Sequence, residues 1–279
     1  MANISERLSR EDLEKYGHLI MNVDTNISMG SVILSNENRD KIDQFLLEMK
    51  NINKLLRYGL KPMNRLLFYG ASGCGKTYLA KALSNHLGYS MLYIDIAKAL
   101  SDSSVATSIS DIFYIANKYE KCIIFLDECD SIAWNRDSST PDSGTIRRAT
   151  NSIFQCLDQM KPTNIFISAT NMLHRLDTAF ENRFDLKLEF RRPELNIEET
   201  ARKFLYPGFN LVCNVDETTK SIIDRRCMLS YRELTSIVER SMKKAVINDT
   251  TDVYVEDIYK DVAVQQRVKI QFGTDKDDE

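Results

Sequence analysis

Apolar residues along this chain fall into two alternating patterns, short apolar runs and longer stretches with apolar positions three and four apart. Five runs, at residues 66–69, 91–95, 122–126, 165–168 and 186–190, read as strands. Between them Leu79, Leu83 and Leu87 share one helix face, and Ile109, Ile112, Phe113 and Ala116 share a second. Ile146, Ala149, Ile153, Leu157 and Met160 share a third. Five strands with intervening helices imply a parallel sheet covered on both faces, an α/β core. Such sheets bind ligands beyond the C-terminal ends of their strands. Ile42, Phe45, Leu46 and Met49 mark a helix leading into the sheet. After Pro193 the strand runs stop; Leu234, Ile237, Val238, Met242, Ala245 and Val246 form a helix stripe, and Ile258 and Val262 belong to another. The pattern predicts a short N-terminal segment (1–34), an α/β core (35–193), a small helical lid (194–270) and an acidic tail (271–279). Turn formers at 135–144 and the tail are expected to be mobile.

The first strand meets its helix through a glycine-rich loop. Residues 70–77 read GASGCGKT, fitting G-x-x-x-x-G-K-[ST] at every constrained position. Gly70, Gly73 and Gly75 let successive N–H groups converge on a phosphate, at a helix N-terminus whose dipole favours anions. Lys76 supplies a mobile cation for the β- and γ-phosphates, and the Thr77 hydroxyl is placed to ligate Mg²⁺. Ser72 and Cys74 contribute backbone and small size, and Tyr78 is grouped with the nucleotide contacts. Cys74 is expected to be solvent-near in the empty site. The chain is therefore expected to bind a nucleoside triphosphate.

Two strands further on, residues 123–130 read IIFLDECD, a buried strand that delivers acids at its end. Asp127 suits a carboxylate near the Mg²⁺ coordination sphere. Glu128 would lie close to the γ-phosphate and orient a water for in-line attack. A solvated acidic loop has the same letters, but its place two strands after the glycine loop favours the catalytic reading.

Composition narrows the setting. Hydrophobic content of 43% and charged content of 28% are ordinary for a globular protein. No apolar run approaches the ~20 residues of a membrane span, and MANISERLSRED is too polar for a signal peptide. The six cysteines form no CxxC pair and have no histidine at zinc spacing, which argues against disulfides and a structural metal and fits a cytoplasmic location. A net charge of −3 with scattered Lys and Arg argues against a nucleic-acid partner.

Three stretches, RYGLKPMNRLLFYGASGCGKT (57–77), KYEKCIIFLDECDSIA (118–133) and ISATNMLHRLDTAFENRFD (167–185), together resemble the AAA family of ATPases over residues 35–248. The likeness is to the subgroup with the second region of homology, which includes proteasomal, membrane-protease and microtubule-severing ATPases. The resemblance implies ATP and Mg²⁺ as ligands, and a five-stranded parallel sheet of order 5-1-4-3-2 followed by a helical lid. It implies that Asn171 is the polar sensor holding the attacking water with Glu128, a plain turn residue being the other reading. It implies that Arg183 is an arginine finger reaching a neighbouring subunit's γ-phosphate. The other reading of Arg183 is a surface arginine paired with Glu181 or Asp185, and Asn182 stands where most members carry a second arginine. Arg232 lies where some relatives place a sensor arginine on the lid, or is a surface charge. Threading members carry an aromatic pore loop where this chain has Ser101, Asp102 and Ser103, flanked by Leu100 and Val105.

The leading functional expectation is an ATPase that remodels a protein partner as a nucleotide-dependent ring, a hexamer by the resemblance. The missing pore aromatic leaves open an ATP-gated interaction switch that does not thread. A DNA-acting loader is the third reading, disfavoured by charge. HExxH is absent and His18, His86 and His174 are isolated in sequence, so any proteolysis is expected from a separate chain. A partner chain is expected to supply specificity.

Overall fold

The computed structural model of the 279-residue chain describes residues 7–17, 25–94, 105–131, 143–193, 196–225 and 227–272. The 101–103 loop, most of 135–144, His18 and the tail from 273 lie outside the described residues. Two compact units are present: residues 1–70 with 76–189, and residues 71–75 with 190–279.

The first unit is built on strands β1 (Arg65–Gly70), β2 (Ser90–Ile94), β3 (Cys122–Leu126), β4 (Ile165–Thr170) and β5 (Leu186–Phe190). They form one parallel sheet of order β2-β3-β4-β1-β5, the expected order read from the opposite edge. Leu67 is in register with Ser168, and Phe125 with Ile167. The central strands are apolar on both faces because helices cover both: every residue of β3 and β4 is buried. Around the sheet lie α1 (Arg10–Tyr16), α2 (Asn36–Lys50), α3 (Ile52–Arg57), α4 (Lys76–Leu87), α5 (Val105–Tyr119), α6 (Ser143–Gln159) and the single-turn α7 (Thr178–Glu181). The consequence for function is topological. β3, β4 and β1 are adjacent and parallel, so the segments following Leu126, Thr170 and Gly70 all emerge along one edge.

Helix α1 lies within the stretch read from sequence only as a short N-terminal segment. Its Tyr16 is buried in the core, and polar groups hold the helix as well: the Asp12 carboxylate accepts hydrogen bonds from Lys118 Nζ (2.6 Å), Tyr119 Oη (2.5 Å) and Ser9 Oγ (2.8 Å). Arg7 donates to the carbonyls of Tyr119 (2.6 Å) and Glu120 (2.9 Å), where a cation suits the carbonyl end of α5. Lys118 and Tyr119 hold the Asp12 carboxyl well below the usual range, at about 2.

The second unit carries α8 (Ile197–Phe204), α9 (Glu217–Asp224), α10 (Tyr231–Ile247) and α11 (Val255–Phe272) around a core of Leu234, Ile237, Val238, Ile258 and Val262. Ser230 starts α10 with a capping box, its hydroxyl accepting from the Glu233 N–H while the Glu233 carboxylate accepts from the Ser230 N–H. Strands do not stop at Pro193. Asn210–Val212 (β6) and Asp252–Tyr254 (β7) pair in parallel as a second sheet. At three residues each, they are too short to show an alternating pattern in sequence.

Candidate active site

The loop after β1 has the backbone its glycines permit. Gly70, Gly73 and Gly75 have φ of 126°, 74° and 101°, conformations that cost an L side chain about 1–2 kcal/mol each. A Cβ at Gly75 would meet nothing within 4 Å, so conformation alone demands glycine there. At Gly73 crowding adds to it, since a Cβ would lie 2.8 Å from Ser230 Oγ, and the Arg232 N–H donates to the Gly73 carbonyl at 3.1 Å. Lys76 opens α4, is buried, and its Nζ donates to the Gly70 carbonyl at 2.5 Å. The ammonium is thereby folded back on the loop it is expected to serve.

Thr77 and Asp127 come together from two elements. Thr77 Oγ1 donates to Asp127 Oδ2 at 3.1 Å, bringing a hydroxyl and a carboxylate oxygen from 50 residues apart to one point. Mg²⁺ takes hard oxygen donors and relies on a few protein ligands completed by water and phosphate, so this pair fits the ion. The positive-φ glycines and the following helix N-terminus fit a triphosphate.

Glu128 follows with φ 51°, a left-handed conformation for a non-glycine residue, held by hydrogen bonds on both sides. Its N–H donates to Asp127 Oδ1 (3.1 Å), and its carbonyl accepts from the Ser131 N–H (3.0 Å) and hydroxyl (2.8 Å). Such strain persists where the surroundings over-determine it, and the Glu128 side chain is exposed. The next residue, Cys129, is wholly buried, and burial pushes its thiol up to about 12. The inert Cys129 anchors the turn on which Glu128 stands.

Asn171 is exposed immediately beyond β4. Thr170 and Asp130, to which the sequence reading gave no role, are joined beside it: Thr170 Oγ1 donates to Asp130 Oδ1 at 2.7 Å and accepts from the Met172 N–H at 2.9 Å. The signal for them was the last letter of DECD and the Thr of SATN.

Other residues stand apart. Arg183 is not paired with Glu181 or Asp185: its Nη1 donates to Asp158 Oδ1 at 2.5 Å and its guanidinium lies 4.9 Å over the Phe154 ring. Glu181 is taken by Lys187 (2.7 Å), and Asp185 accepts the backbone N–H groups of Asn64 and Arg65 (3.0 Å each) beside the start of β1. Tyr78 is half exposed, with its hydroxyl 2.9 Å from Ser31 Oγ, a contact the sequence did not announce. Arg232 is exposed on the first turn of α10. Cys74 is not solvent-near: it is 2% exposed, with its thiol turned inward toward the Ser72 carbonyl (3.8 Å). Ser72, beside it, is exposed.

Comparison with known proteins identifies the family. Residues 66–192 match the ATPase family associated with various cellular activities (AAA). An uncharacterised AAA family ATPase of Sinorhizobium fredii is 31% identical over 244 residues, covering 87% of this chain and 72% of that protein. A probable 26S proteasome regulatory subunit 6B of Caenorhabditis elegans is 29% identical, over 77% of this chain and 54% of its own. An ATP-dependent zinc metalloprotease FtsH of Alkaliphilus metalliredigens is 30% identical over 63% of this chain and 31% of its own. The chain thus spans about half or less of the proteasomal and FtsH relatives. Sequence motifs, sheet order and these matches coincide, and the chain belongs to the AAA family of ATPases.

Proposed function

We propose that the chain hydrolyses ATP with Mg²⁺ at this site and uses the cycle to remodel a protein partner, as a ring in which each pocket is completed by the next subunit. The observation that carries the reading is the meeting of Thr77 and Asp127 at 3.1 Å beside a Glu128 whose carboxylate has no hydrogen-bond partner among the described residues. The glycine loop and Lys76 bind and orient the phosphates. Thr77 and Asp127 would hold Mg²⁺, which when bound supplies positive charge against the departing phosphate. Glu128 accepts a proton from the attacking water while Asn171 fixes that water's orientation. Arg183 is half exposed and bound through one nitrogen, so its remaining N–H groups are available to a neighbouring subunit's γ-phosphate.

The test is Glu128→Gln. Hydrolysis should fall about 10²–10⁴-fold while ATP binding persists. Turnover unchanged by that substitution would remove Glu128 from its role. The second reading, an ATP-gated switch without threading, draws support from the Ser101-Asp102-Ser103 sequence. Stimulation of turnover by one folded partner and not by unfolded polypeptide would select it. The remaining nucleotide contacts in this reading are Ser72 and Cys74 of the glycine loop and Tyr78 just beyond it with, by the resemblance, Arg232, and the cysteine pattern fits a cytoplasmic setting.

A further inference from the structure

We propose that the Thr170–Asp130 hydrogen bond sets the placement of Asn171 relative to Glu128, making Thr170 and Asp130 positioning residues for hydrolysis. The inference rests on the reading of Glu128 and Asn171 as the pair that handles the attacking water.

The sheet alone does not place those two side chains. The β3–β4 register runs to Leu126 and Ser168, so Glu128 and Asn171 both lie beyond the ladder. Each instead sits at the apex of a small turn closed by a side chain. The Glu128 turn is closed by the Asp127 carboxylate on one side and Ser131 on the other. The Asn171 turn is closed by one hydroxyl, because Thr170 Oγ1 accepts from the N–H of Met172, two residues on. Neither apex side chain has a hydrogen bond of its own among the described residues, so each is aimed by its backbone.

The two turns are tied together at one point. The hydroxyl that closes the Asn171 turn donates its proton to Asp130 Oδ1 at 2.7 Å, and Asp130 belongs to the 3-10 turn Cys129–Ser131 that follows Glu128. Thr170 is 1% exposed and the bond as a whole is part-buried, so it is firmer than a fully exposed surface contact. A hydroxyl fixed at both ends leaves the Asn171 turn little freedom against the Glu128 turn. In-line attack on a phosphate depends on alignment, and a displacement of about 1 Å can cost about 100-fold in rate. Asp130 acts here through its link to Thr170, not by touching the reacting atoms.

The experiment uses Thr170→Val, Thr170→Ser, Asp130→Ala and the Val/Ala double substitution in the full chain. At concentrations giving maximal turnover, kcat and KM for ATP, equilibrium nucleotide binding and melting temperature are measured. Thr170→Val, which keeps side-chain volume, should lower kcat by about 10–100-fold with KM and binding changed less than about threefold. Thr170→Ser should recover most of the rate. The double variant should be no slower than the slower single, as expected for two ends of one interaction. Wild-type kcat in Thr170→Val, failure of serine to rescue, or multiplying losses in the double variant would each overturn the proposal. Glu128→Gln and Asn171→Ala are assayed beside them. Full turnover in those two would sink the water-handling reading itself. Their inactivity alongside an unaffected Thr170→Val would sink the brace alone.

Discussion

Thr200, in the middle of α8, buries its hydroxyl completely without a hydrogen-bond partner, one of two such side-chain oxygens among the described residues. A buried unpaired hydroxyl costs roughly 1–3 kcal/mol, and valine fills the same volume without it. Thr200→Val should therefore stabilise the C-terminal unit by about 1 kcal/mol, seen as a higher urea midpoint at unchanged slope. A lower midpoint would mean that the hydroxyl has a partner after all. The cysteines offer a second residue-scale test. Cys213 is exposed, whereas Cys122 and Cys129 are fully buried and their thiols are pushed up to about 11 and about 12 by desolvation. Thiolate is the reactive form, so alkylation of the native protein should begin at Cys213 and reach Cys122 and Cys129 only on unfolding. Mass spectrometry of briefly labelled protein reads this directly, and early label on Cys129 would contradict the buried turn beneath Glu128. Local geometry was legible in sequence where it is spelled in consecutive letters, as in the positive-φ glycines between Gly70 and Gly75 and the acids that follow β3. It was not legible where partners are distant: Asp158 lies 25 residues from Arg183, and no local pattern links them.

Among elements, legibility followed burial. Strands β3 and β4 are buried on both faces and stood out as unbroken apolar runs, whereas β6 and β7 are short and half-exposed and left no pattern. Helix α1 is short and docks chiefly through Arg7, Ser9 and Asp12, residues that a hydrophobicity pattern counts as solvated, with Tyr16 its buried apolar side chain. Its attachment has a pH signature. The Asp12 pKa falls from an ordinary 3.8 to about 2, so its contribution is fully present above about pH 4 and is lost as pH drops toward 2. Asp12→Asn should therefore loosen α1 at neutral pH, measured as faster amide exchange across residues 10–16. The gap between variant and wild type should close as pH approaches 2. A gap that stays constant from pH 6 to pH 2 would show that the carboxylate charge plays no part in holding the helix.

For the whole molecule the decisive question is whether one subunit suffices. The proposed pocket residues Lys76, Thr77, Asp127 and Glu128 belong to one chain, and Thr77 and Asp127 already meet within it. Arg183 is engaged instead with Asp158 and Phe154, and no hydrogen bond joins it to those four. If its role is exercised across a subunit boundary, two different defects should complement each other. Arg183→Ala retains a pocket but presents no arginine; Lys76→Ala presents an arginine but cannot hold the triphosphate. Each alone should be slowed by about 10³-fold or more, consistent with what an arginine in this role contributes. Mixed under conditions where subunits exchange, they should recover hydrolysis at the junctions where an intact pocket faces an intact Arg183. Wild-type turnover per subunit should likewise rise with protein concentration until assembly is complete. An arginine acting within its own chain leaves the mixture as inactive as its components, because every subunit then carries a fatal defect. Complementation with a concentration-independent wild-type rate would place Arg183 in trans within an assembly too tight to dissociate. Failure of both would return the site to a single chain.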